Sequence, residues 1–150
     1  MSEMTVVTRQ QGLAFEDGPD RARILVFGRE TGGRYSLMEW TVAPSEAPGF
    51  GPHRHRAIEE TFLIRSGRLD FLLGETVTSL GPGDFVRVPP GVRHGYANNS
   101  GAPVEMLVSF LPGGIEELFV KYRTDGDGPQ PGDGFVADAT RLYGSEFEAG

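Results

Sequence analysis

The stretch that decides the fold runs from His53 to Gly67 and reads HRHRAIEETFLIRSG. Successive side chains of an extended strand point to opposite faces, so His53 and His55 point the same way and can share one ion. Glu60 lies two residues before Phe62 and four before Ile64, so on a strand its side chain points to the same face as these apolar residues. This favours an inward position for Glu60. A buried carboxylate without a partner is costly, and a bound cation offsets that cost. The stretch therefore predicts an inward-facing row of side chains that can hold a metal ion.

A second stretch, residues 83–98, reads GDFVRVPPGVRHGYAN and contains His94, the last of the 3 histidines in the chain. Three imidazole nitrogens and one carboxylate oxygen suit a first-row transition metal and are a poor match for calcium or magnesium. The sequence therefore predicts one divalent transition metal ion bound by His53, His55, Glu60 and His94. Such a ligand set accepts iron, manganese, nickel, cobalt, copper or zinc, so it does not select among these metals.

The two stretches together resemble the paired signature of the cupin superfamily. In the first motif a glutamate follows His-x-His after four residues and a glycine follows after six more, as Glu60 and Gly67 do here. The second motif is met by Gly83, Pro89, Gly91, His94 and Asn98. One position departs from the pattern, because Ala47 stands where the family has a glycine, with Gly49 and Gly51 close by. The resemblance, which extends to quercetinase-like bacterial members, implies an all-β double-stranded β-helix, or jelly-roll barrel.

The bulk composition narrows the classes of partner. The 150-residue chain is long enough for one domain with a substantial core. Its 21 acidic and 14 basic residues give a net charge of −7, which argues against nucleic acid and anionic membranes as partners. The absence of cysteine excludes disulfides, thiolate ligands and cysteine nucleophiles. Residues 1–4 lack the basic patch and apolar run of a secretory signal, so we expect a cytoplasmic protein.

Short β-rich runs separated by turn residues predict a barrel or sandwich, since 22 glycines and 11 prolines are spread along the chain. We predict strands at Arg23–Phe27, Tyr35–Val42, Glu60–Arg65, Arg68–Leu73, Val77–Leu80, Phe85–Val88, Arg93–Ala97 and Val104–Phe110. Eight strands at hairpin spacing are typical of a jelly roll.

The pattern changes after Pro112. The next apolar residues recur with helical spacing and form one stripe, made of Ile115, Leu118, Phe119 and Tyr122. Residues 124–134 are rich in glycine, proline and aspartate and predict a loop, and residues 135–143 predict a second short helix that Gly144 ends. We therefore predict a barrel at residues 1–112 and a helical C-terminal tail at residues 113–150 that packs on the same domain.

The apolar side chains on the inward-facing side of the predicted strands are also expected to form the wall of a ligand pocket. The predicted pocket residues are Phe62, Ile64, Leu69, Phe71 and Tyr96, and Leu73 shares their parity. Core packing is the ordinary role of such residues, but the inner face of a barrel also lines its cavity. An apolar and aromatic lining favours a small hydrophobic or aromatic molecule over a sugar.

The same alternation assigns ordinary structural roles to the neighbouring polar residues. Glu59 faces away from Glu60 and is expected to be solvated, and Asn98 is interpreted as a turn residue that closes a strand. Four arginines border the first motif, and we expect surface charge or the rim of a dimer from them: Arg54, Arg56, Arg65 and Arg68. An arginine in the pocket would instead imply an acidic substrate. Gly67, Gly83 and Gly91 are expected to provide turns with positive φ.

The resemblance to quercetinase-like cupins implies oxidative ring cleavage of an enolic or phenolic substrate as the leading activity. In that scheme Glu60 is both a metal ligand and the general base. Two alternatives remain open at the level of the sequence: a non-catalytic cupin that binds or senses a small ligand, and a redox-silent metal-dependent isomerase or lyase. The resemblance also implies a homodimer.

Overall fold

The computed structural model describes residues 4–45, 51–126 and 133–148. Within these ranges the strands are β1 Leu13–Asp17, β2 Asp20–Val26, β3 Ser36–Val42, β4 His53–His55, β5 Glu59–Ser66, β6 Leu69–Leu73, β7 Thr76–Leu80, β8 Phe85–Val88, β9 His94–Ala97, β10 Val104–Leu111 and β11 Ser145–Phe147. The helices are α1 Glu116–Lys121 and α2 Asp133–Tyr143, and a 3-10 turn covers Gly28–Thr31.

The strands form two antiparallel sheets that face each other. One has the order β1-β2-β3-β10-β5-β8 and the other the order β11-β4-β9-β6-β7. Strands distant in sequence are neighbours in both sheets, as expected of a double-stranded β-helix. The predicted all-β jelly-roll architecture is therefore confirmed.

Alternation of buried and exposed side chains places the core between the sheets. Strand β10 is central in the larger sheet, and its alternate residues from Val104 to Phe110 are at most 3% exposed. In the flanking strands, Met38 and Phe62 lie opposite Val108 and are equally buried. Apolar rows that continue from strand to strand remove a contiguous surface from water, which is the main force holding the two sheets together.

The eight predicted strands are all present, with ends that differ by up to three residues. Three further strands, β1, β4 and β11, were not predicted. Strand β1 has one deeply buried apolar side chain, Phe15, and β4 and β11 have three residues each, so their own patterns are too short to be recognised. Leu73 lies on the same face as Phe71 and His94, as its parity predicts, but it is 39% exposed because it ends β6.

Both predicted helices are present after the barrel. Ile115, Leu118 and Tyr122 are buried, as the predicted stripe requires, and α2 buries Phe135 and Ala139. The chain then continues into β11, so the end of the tail is part of the smaller sheet. The middle of the predicted loop, residues 127–132, and the Ala47 and Gly49 positions lie outside the described residues. Within the described ranges, no helix has the length and apolar character to cross a membrane.

Candidate metal centre

Three strands bring the predicted ligands together. Strand β4 carries His53 and His55 on one face, and His53 lies directly opposite His94 of β9. Glu60 comes from β5 in the other sheet. We call these four residues the ligand cluster: His53, His55, Glu60 and His94. All four are buried, so the cluster lies between the sheets and not on the surface of the barrel.

The ligand cluster is tight enough to surround one ion. Each member offers one ligand atom, and these atoms all lie within 4.8 Å of one another. Oε2 of Glu60 is 2.8 Å from Nε2 of His94 and 3.5 Å from Nε2 of His55. The cluster could therefore hold a metal ion.

The second ring nitrogen of each histidine is engaged outside the cluster. Nδ1 of His53 is 2.8 Å from the carbonyl oxygen of Gly51, and Nδ1 of His94 is 3.0 Å from that of Val92. A carbonyl oxygen only accepts, so these two rings donate their Nδ1–H to it and direct Nε2 into the cluster, where Nε2 of His94 would exchange its hydrogen bond with Glu60 for a metal. Nδ1 of His55 is 2.7 Å from the hydroxyl oxygen of Ser145. Outer hydrogen bonds of this kind are characteristic of metal-binding histidines.

Burial and mutual contact shift the pKa values in the cluster. Burial, together with the neighbouring His94, lowers the pKa of His53 to about 4, so this imidazole is neutral at physiological pH. Burial alone would raise the pKa of Glu60, but hydrogen bonds from His55 and His94 outweigh it and lower that pKa to about 2. Burial likewise opposes the charged form of His94, but the hydrogen bond with Glu60 dominates and raises its pKa. The neutral imidazole of His53 and the ionised carboxylate of Glu60 are in the protonation states that a divalent cation requires, whereas His94 would release a proton on binding it.

A small cavity of about 40 Å³ adjoins the cluster. Its apolar wall comes from both sheets and from the C-terminal segment: Trp40, Phe62, Tyr96, Met106, Val108, Phe110, Ile115, Phe119, Phe135 and Phe147. Of the predicted pocket residues, Phe62 and Tyr96 line this cavity. Ile64, Leu69 and Phe71 are instead packed in the core and are at most 1% exposed.

The C-terminal segment closes one side of the site, and no sequence pattern indicated this. We call residues 133–148, which comprise α2 and β11, the C-terminal strap. The ring of Phe147 stacks on His53 with 5.4 Å between ring centroids, and Phe135 lines the cavity. Trp40 and Phe110 also line the cavity, and the alternation of side chains along the predicted strands Tyr35–Val42 and Val104–Phe110 could have indicated them. Nothing in the local sequence of the strap points to the site.

The polar neighbours of the first motif have the structural roles that alternation predicts. Glu59 faces outward and forms an ion pair with Arg87 at 2.6 Å. Arg54 and Arg56 both pair with Glu146 of the strap on the outside of the barrel. Arg65 and Arg68 are exposed and are not among the residues that line the cavity.

Turn residues around the site also behave as predicted. The side-chain amide of Asn98 donates to the carbonyl oxygens of Val42 and Ala102, at 3.0 and 2.7 Å, and so closes the turn after β9. Gly67 has φ of +84°, and a Cβ there would lie 2.7 Å from the carbonyl oxygen of Pro103. Glycine is therefore required at that turn, because φ is positive and because a Cβ would clash with the carbonyl oxygen of Pro103.

A buried acid that sequence reasoning did not single out holds one wall of the cavity in place. The carboxylate of Glu116 is fully buried and accepts the backbone N–H groups of Gly28 and Gly114, at 2.5 and 2.7 Å. These bonds tie the start of α1 to the 3-10 turn. The apolar residues Ile115 and Phe119 are thereby held against the cavity.

Comparison with known families gives one match. Residues 38–110 match the family described as the cupin domain. This range contains the complete ligand cluster and runs from β3 to β10. A comparison with the curated proteins found no match.

Several solved structures have the same fold. KdgF from Halomonas sp. superimposes with a TM-score of 0.66 at 13% identity, over 77% of this chain and 99% of that one. A sugar phosphate isomerase of the cupin superfamily from Silicibacter pomeroyi has a TM-score of 0.61 at 18% identity, over 71% and 74% of the two chains. Pac13, a nucleoside dehydratase from Streptomyces, has a TM-score of 0.58 at 19% identity, over 77% and 88%. At these identities the likeness shows the fold alone.

Proposed function

Since residues 38–110 match the cupin domain family, we propose that this protein is a metal-dependent dioxygenase that acts on a small enolic or phenolic molecule. The observation that carries the proposal is the convergence of three imidazoles and one carboxylate on one buried point beside an aromatic cavity. We propose one divalent transition metal ion as the cofactor, held by His53, His55, Glu60 and His94. Such an ion supplies a Lewis acid or a redox centre.

The lining of the cavity supports an apolar or aromatic ligand. Seven of its residues carry aromatic rings other than imidazole: Trp40, Phe62, Tyr96, Phe110, Phe119, Phe135 and Phe147. Rings of this kind bind another ring by stacking or edge contact and exclude water from it. The polar side chains near the bound molecule are then those of the ligand cluster and the hydroxyl of Tyr96. This arrangement suits a molecule with an apolar body and one oxygen-bearing end.

Glu60 is the candidate proton acceptor. Its contacts with His55 and His94 both use Oε2, which leaves Oε1 for the hydroxyl proton of a substrate. The pKa lowered to about 2 keeps this carboxylate in its ionised form across the neutral range. The buried position of Glu60 places that proton transfer out of contact with bulk water.

The size of the cavity implies that a wall moves when a substrate enters. A volume of about 40 Å³ holds roughly three water molecules, whereas a cavity that binds benzene measures about 150 Å³. The barrel strands are continuous with the core, whereas the C-terminal strap is joined to the barrel by three-residue pairing of β11, by surface ion pairs and by the packing of Phe135, Ala139 and Phe147. We therefore propose the strap as the wall that opens.

A second candidate function is a redox-silent metal-dependent isomerase or lyase. The similar structures include a sugar phosphate isomerase and a nucleoside dehydratase, which supports this alternative. The metal in protein purified without added metal separates the two. Zinc favours the redox-silent enzyme, whereas iron, manganese, nickel, cobalt or copper permits oxygen chemistry.

The test pairs two adjacent carboxylates. Glu60→Gln removes the proton acceptor but keeps an amide oxygen that can still contact a cation, whereas Glu59→Gln alters only the outward ion pair with Arg87. Each protein is reconstituted separately with iron, manganese, nickel, cobalt and copper, and oxygen uptake is followed with flavonols, catechols and β-diketones. We expect turnover by wild type and Glu59→Gln, and a loss of at least about 100-fold in Glu60→Gln, the lower end of typical general-base contributions.

The same assay can contradict the proposal in two ways. If no pairing of metal and substrate consumes oxygen above the level of the metal alone, the dioxygenase assignment is wrong for these substrates. If one compound then binds tightly and is recovered unchanged, the protein is a binding cupin. A Glu60→Gln protein with wild-type turnover would instead leave dioxygenase activity in place and remove Glu60 from the role of base.

A further inference from the structure

The C-terminal strap reaches the ligand cluster from outside the cupin domain. Strand β11 pairs antiparallel with β4, with Ser145 opposite His55 and Phe147 opposite His53. Ser145 is fully buried, while Glu146 between them faces outward. One edge of the metal centre is thus built from residues about 90 positions further along the chain.

The three histidines differ in how their outer nitrogen is held. His53 and His94 each donate Nδ1–H to a carbonyl oxygen two residues away on the same stretch of chain. Those partners are set by the local backbone and no side-chain substitution removes them. His55 relies on the hydroxyl of Ser145, at 2.7 Å and 90 residues distant. It is therefore the histidine whose orientation a single substitution outside the motifs can change.

We propose that Ser145 is a positioning residue that fixes the imidazole of His55 for metal binding. The proposal rests on the proposed function, in which the ligand cluster holds a metal. When Ser145 Oγ accepts the Nδ1–H of His55, the Nε2 lone pair points into the cluster. Without that acceptor, a buried N–H has lost its partner, and the ring can rotate or move its proton to Nε2, where it blocks the metal. The metal affinity of the barrel therefore depends on docking of the strap.

The experiment compares two buried serines. Ser145→Ala removes the acceptor, and Ser36→Ala makes the same change on β3, where Oγ has no hydrogen-bond partner among the described residues. Ser145→Thr restores a hydroxyl. Dissociation constants for Zn²⁺ and Co²⁺ are measured by competition with a chelator of known affinity, the visible spectrum of the Co²⁺ protein reports ligand geometry, and the melting temperature of the metal-free protein reports folding.

We expect Ser145→Ala to bind both ions about 10- to 100-fold more weakly, the usual cost of losing an outer partner of a metal-bound histidine. Its cobalt spectrum should change, Ser36→Ala should match wild type, and Ser145→Thr should recover part of the affinity. Nitrogen-15 spectra of the zinc-loaded wild type should show a slowly exchanging Nδ1–H on His55. That measurement is made on the wild type and does not depend on a variant that folds.

The outcomes separate the two proposals. If wild type binds metal and Ser145→Ala binds equally well, the role of Ser145 is overturned and the metal site stands. An equal loss in Ser145→Ala and Ser36→Ala reports general damage to packing and also overturns it. Zinc-loaded wild type in which His55 carries its proton on Nε2 has the opposite geometry and overturns it directly. Wild type that binds neither ion removes both proposals.

Discussion

The cupin domain and the C-terminal strap contribute to the same centre but are held in very different ways. The ligand cluster lies on strands of two sheets that are joined through the core, with β5 paired to both β10 and β8. The strap is attached by three-residue pairing of β11 with β4, by the outward ion pairs of Glu146 with Arg56 and of Glu148 with Arg93, and by the buried Phe135 and Ala139. Exposed ion pairs contribute little to stability and are screened by salt.

The difference shows that residues of one site can lie on strands that are held in the sheet with unequal firmness. Glu60 and His94 of the ligand cluster lie on strands that are paired on both sides. Phe147, which covers the cluster, lies on β11, a three-residue strand at the edge of the smaller sheet. Elements that must open to admit a ligand are drawn from the less stable parts of a fold. Three predictions test whether the C-terminal strap is held less firmly than the barrel.

The largest effect is expected from the cupin domain itself. His94→Ala removes a buried ligand, so affinity for Zn²⁺ or Co²⁺ should fall by more than about 100-fold, beyond the cost of losing an outer partner. Arg65→Ala, which removes an exposed side chain of β5 that pairs with Glu39, is the control and should bind like wild type. Chelator competition measures both. Full metal occupancy in His94→Ala would show that the cluster is not the metal site.

A several-fold effect is expected from locking the strap. The chain has no cysteine, so Arg54→Cys with Glu146→Cys places a single pair across β4 and β11. Opposed residues of antiparallel strands lie about 5.5 Å apart between Cα atoms, within the disulfide range of about 4.4–6.8 Å. The oxidised protein should lose bound Zn²⁺ to excess chelator more slowly than the same protein reduced. Equal rates would show that the strap does not limit access to the site.

The smallest effect is expected from salt and acid acting on the strap alone. The hydrogen bond from Arg93 holds the pKa of Glu148 below its ordinary value. The ion pair therefore stabilises the strap above the ordinary glutamate range and is lost as the pH falls through the lowered pKa. In metal-free protein, the Glu148 amide, which donates to the carbonyl oxygen of Pro52, should lose protection from hydrogen exchange at high salt or low pH.

Amides of β10 supply the internal control for that measurement, since they lie in the centre of the larger sheet. Their protection should change little with salt. If β10 and β11 lose protection together, the strap and the barrel open as one unit and the contrast between them is wrong.

Much of the site could be predicted because its signals are local. Alternation along a strand placed His53 and His55 on one face and placed Glu60 with the inward-facing Phe62 and Ile64, and the resemblance of the second stretch to the cupin motif added His94. The same rule turned Glu59 outward, where it pairs with Arg87. Strands with several alternating apolar residues were recognised for the same reason, and the all-β architecture followed from their number and spacing.

The remaining features depended on contacts between distant parts of the chain. A three-residue strand such as β11 has no pattern of its own and is ordered by the edge of β4 that it joins. Leu69 and Phe71 face inward like Phe62, yet they fill the core while Phe62 lines the cavity. The alternation of side chains along a strand shows which face a residue lies on, but not whether that part of the face borders the core or the cavity. The residues of the chain by themselves determined the fold class and the four members of the ligand cluster. Only tertiary structure decided what covers the ligand cluster, since the partner of His55 lies 90 residues further along the chain.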